Sequence, residues 1–121
     1  MELNDTHNRY LLAIYQLTLS KSDVSSKDIA NRLSISKASV TKMMSILMEK
    51  NLVDKERYGK IHLTDVGYSL AEHLAEQTDT LARTLQSQIA LTDEEAKKAA
   101  CAAVCELPSH CFLSDAVTEN K

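Results

Sequence analysis

Three cysteines and a histidine crowd towards the C-terminal end of the chain, in the pattern Cys101-x3-Cys105-x4-His110-Cys111. Cys101 and Cys105 are four residues apart, so on a helix their sulfurs share one face, and His110 and Cys111 follow just past Pro108. With Glu106 between them, these residues form a thiolate, imidazole and carboxylate donor set suited to Zn(II), Fe(II) or Cu(I). The same thiols could instead be a redox switch beside His110, or pack as small apolar side chains. A second set is Ser36-Lys37-Ala38-Ser39-Val40-Thr41-Lys42, where hydroxyls and amines sit at the start of a helix whose open N–H groups favour an anion. Arg57 and Lys60 bracket Gly59, and Lys27 lies near the start of the preceding helix. Together Lys27, Ser36, Lys37, Ala38, Ser39, Thr41, Lys42, Arg57 and Lys60 are candidates for contact with a polyanion.

The elements that must position these groups can be read from periodicity. Leu11, Ile14, Tyr15 and Thr18 recur at helical spacing over residues 6–19, which predicts an amphipathic first helix. Ser25-Ser26-Lys27-Asp28 is a capping-box start for a short second helix with Ile29 and Leu33 inward. Ser36 caps a third helix, running to about residue 50, whose stripe is Val40, Met43, Met44 and Leu47. The period then changes from helical to alternating, so residues 52–57 and 61–63 form a hairpin around Tyr58-Gly59-Lys60. Thr64 caps a long helix over residues 65–89, about 37 Å at ~1.5 Å per residue. Its stripe of Leu70, Leu74, Leu81, Leu85 and Ile89 is interrupted by Thr78, and Ala71, Ala75 and Ala82 leave room for a neighbouring helix. That neighbour is a second copy of the chain or its own C-terminal helix. Thr92-Asp93-Glu94-Glu95 opens a fifth helix that Pro108 stops, and a short last helix follows from about Ser114.

The expected fold is therefore mainly α: a winged helix-turn-helix over residues 1–66, then a long helix and C-terminal helices over 67–121 as a dimerisation and sensing region. The 121 residues leave room for one globular unit. Two Gly, one Pro and no Trp argue against a β-sandwich or barrel. No apolar run approaches the ~18 residues of a membrane span and no export signal opens the chain, so a cytoplasmic protein with reduced thiols is expected. Net charge is −3, but unevenly spread. Residues 1–68 hold ten Lys and Arg against eight acids, whereas 69–121 hold four against nine. The basic excess therefore lies on the helix-turn-helix and wing, where a polyanion would dock. No Gly-rich phosphate loop, nucleophile elbow, paired helical His or Cys-x-x-Cys motif is present, so an enzyme is not expected.

Tyr10-Leu11-Leu12-Ala13-Ile14-Tyr15, Asp28-Ile29-Ala30, Ser39-Val40-Thr41-Lys42-Met43, Leu52-Val53 and Tyr58-Gly59-Lys60-Ile61-His62-Leu63-Thr64-Asp65-Val66-Gly67 together resemble the diphtheria-toxin-repressor family of metal-dependent transcriptional regulators, manganese branch included. The resemblance covers residues 6–91 well and 92–121 poorly. It implies a homodimer that represses metal-homeostasis genes by binding a palindromic double-stranded DNA operator, with Mn or Fe as corepressor and no SH3-like domain following. It also implies a metal bridging the first, long and fifth helices. The positions concerned are here Arg9, Leu12, Thr78 and Ala82, none of them a usual ligand. On the fifth helix two registers stand open, one aligning Cys101 and Cys105 with family ligands, the other His110 and Cys111.

Overall fold

A computed structural model describes residues 3–108 and residue 111. Five helices and a two-stranded antiparallel wing follow one another as α1 (Asp5–Ser20), α2 (Ser26–Leu33), α3 (Lys37–Glu49), β1 (Val53–Lys55), β2 (Ile61–Leu63), α4 (Asp65–Gln88) and α5 (Asp93–Glu106). The chain is a winged helix-turn-helix followed by long helices. It divides into two compact units, one up to His73 and one from Leu74 onward, with the division inside α4. The short last helix expected from Ser114 lies outside the described residues.

In the first unit each helix starts and stops through local chemistry. The Ser25 side chain accepts from the Asp28 N–H while the Asp28 carboxylate accepts from the Ser25 N–H, the reciprocal capping box that the sequence predicts. Lys21 adds an ion pair at 2.9 Å, and this hydrogen-bonded ammonium, with the Ser25 N–H, holds the Asp28 carboxyl below the ordinary range. At the far end of α2, Ser34 takes a left-handed conformation (φ 56°) and the Ile35 N–H donates to the Ala30 carbonyl at 3.0 Å. Asn51 (φ 60°) does the same after α3, with Leu52 N–H donating to Leu47 O at 2.9 Å. Both helices thus close in Schellman fashion without glycine.

The core of this unit is made by Leu11, Leu12, Ile14, Val24, Ile29, Val40, Met44, Leu47, Leu52 and Val53, all essentially inaccessible. Full burial of side chains of this size is worth about 1.5–3 kcal/mol each. The amphipathic first helix is corrected by the structure. Residues Tyr10 to Ile14 are all buried, more than a full turn, so α1 is not one-sided but central, with α2 and β2 packed on it. Thr18, expected in its apolar stripe, is exposed and spends its hydroxyl on the Ile14 carbonyl at 2.8 Å. Tyr15 is half-buried and meets Tyr68 of α4 edge-to-face, centroids 5.3 Å apart.

Thr64 joins wing and long helix. Its N–H donates to Leu52 O at 3.0 Å, its hydroxyl donates to Asn51 O at 2.8 Å and accepts from the Gly67 N–H at 3.0 Å. Gly67 then passes so close to the Leu52 carbonyl that a Cβ would overlap it. The strands pair in the register Val53–Leu63, Asp54–His62, Lys55–Ile61, and the Ile61 N–H donates to Val24 O at 2.8 Å, tying the wing to the loop before α2.

In the second unit, Ala82 of α4 packs with Ala96 and Ala100 of α5, with Leu81, Leu85 and Leu91 around them. The approach that Ala82 permits is therefore made by the chain's own α5. Thr92 and Glu95 form the expected capping box. Thr78 is buried and donates to the Leu74 carbonyl at 2.8 Å.

Gly67→Ala should test the close approach at Leu52. Helix propensity alone would make it stabilising by up to ~1 kcal/mol. The overlap predicts instead a loss of about 3 kcal/mol in urea unfolding. A second test lies at α1, where the Asn4 N–H donates to Nδ1 of buried His7 and the His7 N–H donates to Asn4 Oδ1. Burial, and then the Lys50 ammonium, push the His7 pKa below its ordinary 6.5. The unfolded chain therefore binds this proton more readily, and the contribution to stability is complete above about pH 6.5 and lost as pH falls through the depressed value. His7→Gln, which can still cap, should flatten this pH dependence in unfolding curves recorded from about pH 7.5 to 5.

Candidate nucleic-acid interface

Ser36 is the N-cap of α3, its Oγ accepting from the Ser39 N–H at 3.1 Å and donating to Ser39 Oγ at 2.9 Å. Thr41 spends its hydroxyl on Lys37 O at 3.1 Å and so contributes a methyl group rather than a donor to anything docking there. Ser36, Lys37, Ala38, Ser39, Thr41 and Lys42 are all exposed, while Val40, Met44 and Leu47 are buried and fix the helix from behind. Met43, expected in the stripe, is only half-buried.

Charge sorts the candidates further. Lys27, Lys37, Lys42 and Arg57 are exposed and have no ion pair with any described residue. Lys60, by contrast, lies 3.4 Å from the Asp23 carboxylate and is half-buried, so its charge is partly answered within the protein. On the wing His62 pairs with Glu56, and Arg57 is left without a counter-charge among the described residues. Cations without carboxylate partners on the start of one helix and on one hairpin tip are what a row of phosphates requires. Tyr58 is a residue that sequence reasoning does not single out. It projects from the wing tip between Arg57 and Gly59, 90% exposed, and the available signal is an aromatic residue where the turn asks for none.

The cysteine set does not gather in the same way. Cys101 is half-buried, Cys105 is 1% exposed, and Glu106 and Cys111 are exposed, with the Cys111 N–H bonded to Pro108 O at 3.0 Å. None of the three thiols is in a disulfide. His110 lies outside the described residues. Among the described residues no three His, Cys, Asp or Glu side chains stand where they could share a metal ion. Leu12, Thr78 and Ala82 are buried without an ionisable group, and Arg9 is a cation. Among the described residues, those at the positions the family resemblance implies do not supply the donors of a divalent centre.

Residues 2–61 match the family model described as iron dependent repressor, N-terminal DNA binding domain. These residues form a DNA-binding domain of the iron-dependent repressor family. The family is one of transcriptional regulators rather than enzymes. No curated protein sequence matches the chain. Among solved structures it is similar to T. acidophilum IdeR (21% identity, TM-score 0.77), with 98% of this chain and 53% of that one covered. It is also similar to the manganese regulator SloR (27%, 0.71; 99% and 52% covered) and to ScaR with bound Zn2+ (26%, 0.68; 86% and 48% covered). The chain spans about half the length of these relatives. Within this family, α3 is the recognition helix of the helix-turn-helix and β1–β2 is its wing.

Graded effects on salt-dependent binding to duplex DNA are expected. Lys42→Ala and Arg57→Ala should each weaken binding and reduce the slope of log K against log salt by about 0.9 for each phosphate no longer neutralised. Lys60→Ala should change the slope less, because Asp23 already offsets its charge. Anisotropy titrations across a salt series read both quantities at once.

Proposed function

We propose that this chain is a transcriptional repressor that binds a palindromic double-stranded DNA operator as a homodimer, with metal-ion homeostasis genes as its targets. The observation that carries this reading is the pairing of a recognition helix whose exposed start bears Lys37 and Lys42 without counter-charges with a wing bearing Arg57. Residues 1–66 act as the DNA-binding domain, with Ser36, Ala38, Ser39 and Thr41 towards base edges and sugar, and Lys27, Lys37, Lys42, Arg57 and Lys60 towards phosphates. Residues 67–121 act as the dimerisation and sensing region. The second unit leaves Ile89 and Leu107 exposed, apolar surface of the kind a second copy would cover. Two recognition helices related by a twofold axis would then read half-sites one DNA turn apart.

Metal control is the input that similarity to a manganese regulator and to a zinc-bound relative favours. Its candidate ligands are Cys101, Cys105, Glu106, His110 and Cys111, with Mn, Fe or Zn as the ion. Among the described residues no three of that set stand where they could share an ion, and DNA binding by α3 and the wing does not depend on one. A second reading keeps DNA binding and replaces metal with oxidation of the cysteines, or with no input. It is favoured by three thiols outside any disulfide, one of them exposed.

Binding of the reduced protein to the duplex upstream of its own coding sequence, measured without oxygen, separates these readings. Chelator is compared with Mn(II), Fe(II) and Zn(II) in turn, and then with a peroxide. Tightening of about tenfold by one ion, ~1.4 kcal/mol of coupling, supports metal control and makes Cys101, Cys105 and His110 the next positions to change. Indifference to metals with a response to peroxide favours the thiol reading. Failure to prefer this duplex over unrelated DNA under every condition removes the operator assignment.

A further inference from the structure

Tyr58 has no role in holding this fold. It is the most exposed large hydrophobic side chain among the described residues, at 90%. The turn beneath it is nevertheless well ordered by hydrogen bonds, with the Gly59 N–H donating to Glu56 O at 2.9 Å and the Glu56 N–H to Lys60 O at 2.7 Å. Gly59 takes φ +89°, the left-handed position that closes such a hairpin. Turn positions are normally filled by Gly, Pro, Asn, Asp or Ser, each for a backbone reason, and tyrosine supplies none of them. Its presence at the tip is therefore not explained by turn formation.

The base of the hairpin is held rigidly. Val53 and Ile61 are buried, Ile61 is bonded to the loop before α2, β1 packs along α3, and Thr64 ties the end of β2 back to Asn51 and Leu52. An aromatic side chain is thus carried on a stiff mount in the same body as the recognition helix, next to Arg57, which lacks a counter-charge among the described residues. Tyrosine has an apolar ring and a polar tip, the combination suited to a surface that is apolar in one part and wet in another. The minor-groove edge of DNA is such a surface. Deoxyribose carbons line it between phosphates, which a cation beside the ring can meet.

Resting on the DNA-binding reading above, we propose that Tyr58 is a DNA-contacting residue whose ring packs on deoxyribose at the minor-groove edge flanking the half-site read by α3, while Arg57 beside it meets the phosphates. The contact contributes through burial of the ring and not through charge. It therefore adds affinity without adding to the salt dependence, which separates it from every lysine and arginine of the interface.

The full-length protein is titrated with the duplex upstream of its own coding sequence and with a duplex of unrelated sequence, over a salt series, for wild type, Tyr58→Ala, Tyr58→Phe, Arg57→Ala and Lys42→Ala. Tyr58→Ala is expected to weaken affinity about tenfold with the salt slope unchanged, and Tyr58→Phe to keep most of the affinity because the ring remains. Thermal unfolding of Tyr58→Ala should match wild type, since the side chain buries almost nothing within the chain. Wild-type affinity for Tyr58→Ala alongside weakened Lys42→Ala overturns the proposal and leaves the DNA-binding reading standing. A weakening in Tyr58→Ala that comes with a shallower slope, as in Arg57→Ala, also overturns it, because the tyrosine would then act only by placing the arginine. If the wild-type protein and Lys42→Ala bind neither duplex, the DNA-binding reading fails and takes this one with it.

Discussion

The backbone of Leu52 is the point on which the geometry of the DNA-binding unit depends. Its N–H closes the recognition helix on Leu47 O, its carbonyl accepts from the Thr64 N–H at the start of α4, and Gly67 is seated directly against that carbonyl. Three elements, α3, the wing and α4, thus meet at one residue's backbone. Such groups must be paired when buried, and here each pairing is made with a different element. The relative placement of helix and wing is consequently set by short hydrogen bonds and one glycine and not by side-chain packing alone. A reader of DNA needs that stiffness, because its hydrogen bonds to base edges and phosphates tolerate only small errors in placing the donors.

Charge follows the same division of labour. Some cations are answered by a carboxylate of the same chain, as Lys21 is by Asp28 and Lys60 by Asp23. Others are left open, as Lys37 and Lys42 on α3 and Arg57 on the wing are among the described residues. The net charge of −3 hides this, since ten of the fourteen Lys and Arg residues lie within residues 1–68 while the acids are divided almost evenly. A polyanion responds to the local field within a Debye length of about 10 Å, so the open cations matter more than the total.

The positions at which a family resemblance implies metal ligands are built here for packing. Ala82 lies in a seam with Ala96 and Ala100, Thr78 turns its hydroxyl back onto its own helix, and Leu12 sits in the first unit's core. A methyl and an isobutyl group have no donor atom, and a neutral hydroxyl already bonded to its own helix is a poor replacement for an imidazole or carboxylate ligand. At these described positions the chain thus carries packing side chains where the resemblance implies ligands.

Much of this protein is legible in the sequence because the chemistry involved is local. Capping boxes at Ser25 and Thr92, the cap at Ser36, the change from helical to alternating period at Leu52 and the cap at Thr64 place these helices and the wing within a residue or two. Each depends only on residues three or four positions apart. The sequence does not decide which sides of an element are covered and which charges are answered. Residues Tyr10 to Ile14 read as part of an amphipathic helix with Leu11 and Ile14 inward, yet all five are buried, because α2 and β2 both pack on α1, the latter from far along the chain. Lys60 and Arg57 are equivalent in one dimension, and only the fold brings Asp23, nearly forty residues away, beside one and not the other. Cys105 and Glu106 read alike as candidate ligands, whereas folding buries the thiol and leaves the carboxylate exposed. Periodicity and capping are properties of a few consecutive residues and survive in one dimension. Burial and ion pairing are properties of the neighbours that folding brings, and only the tertiary structure decided them.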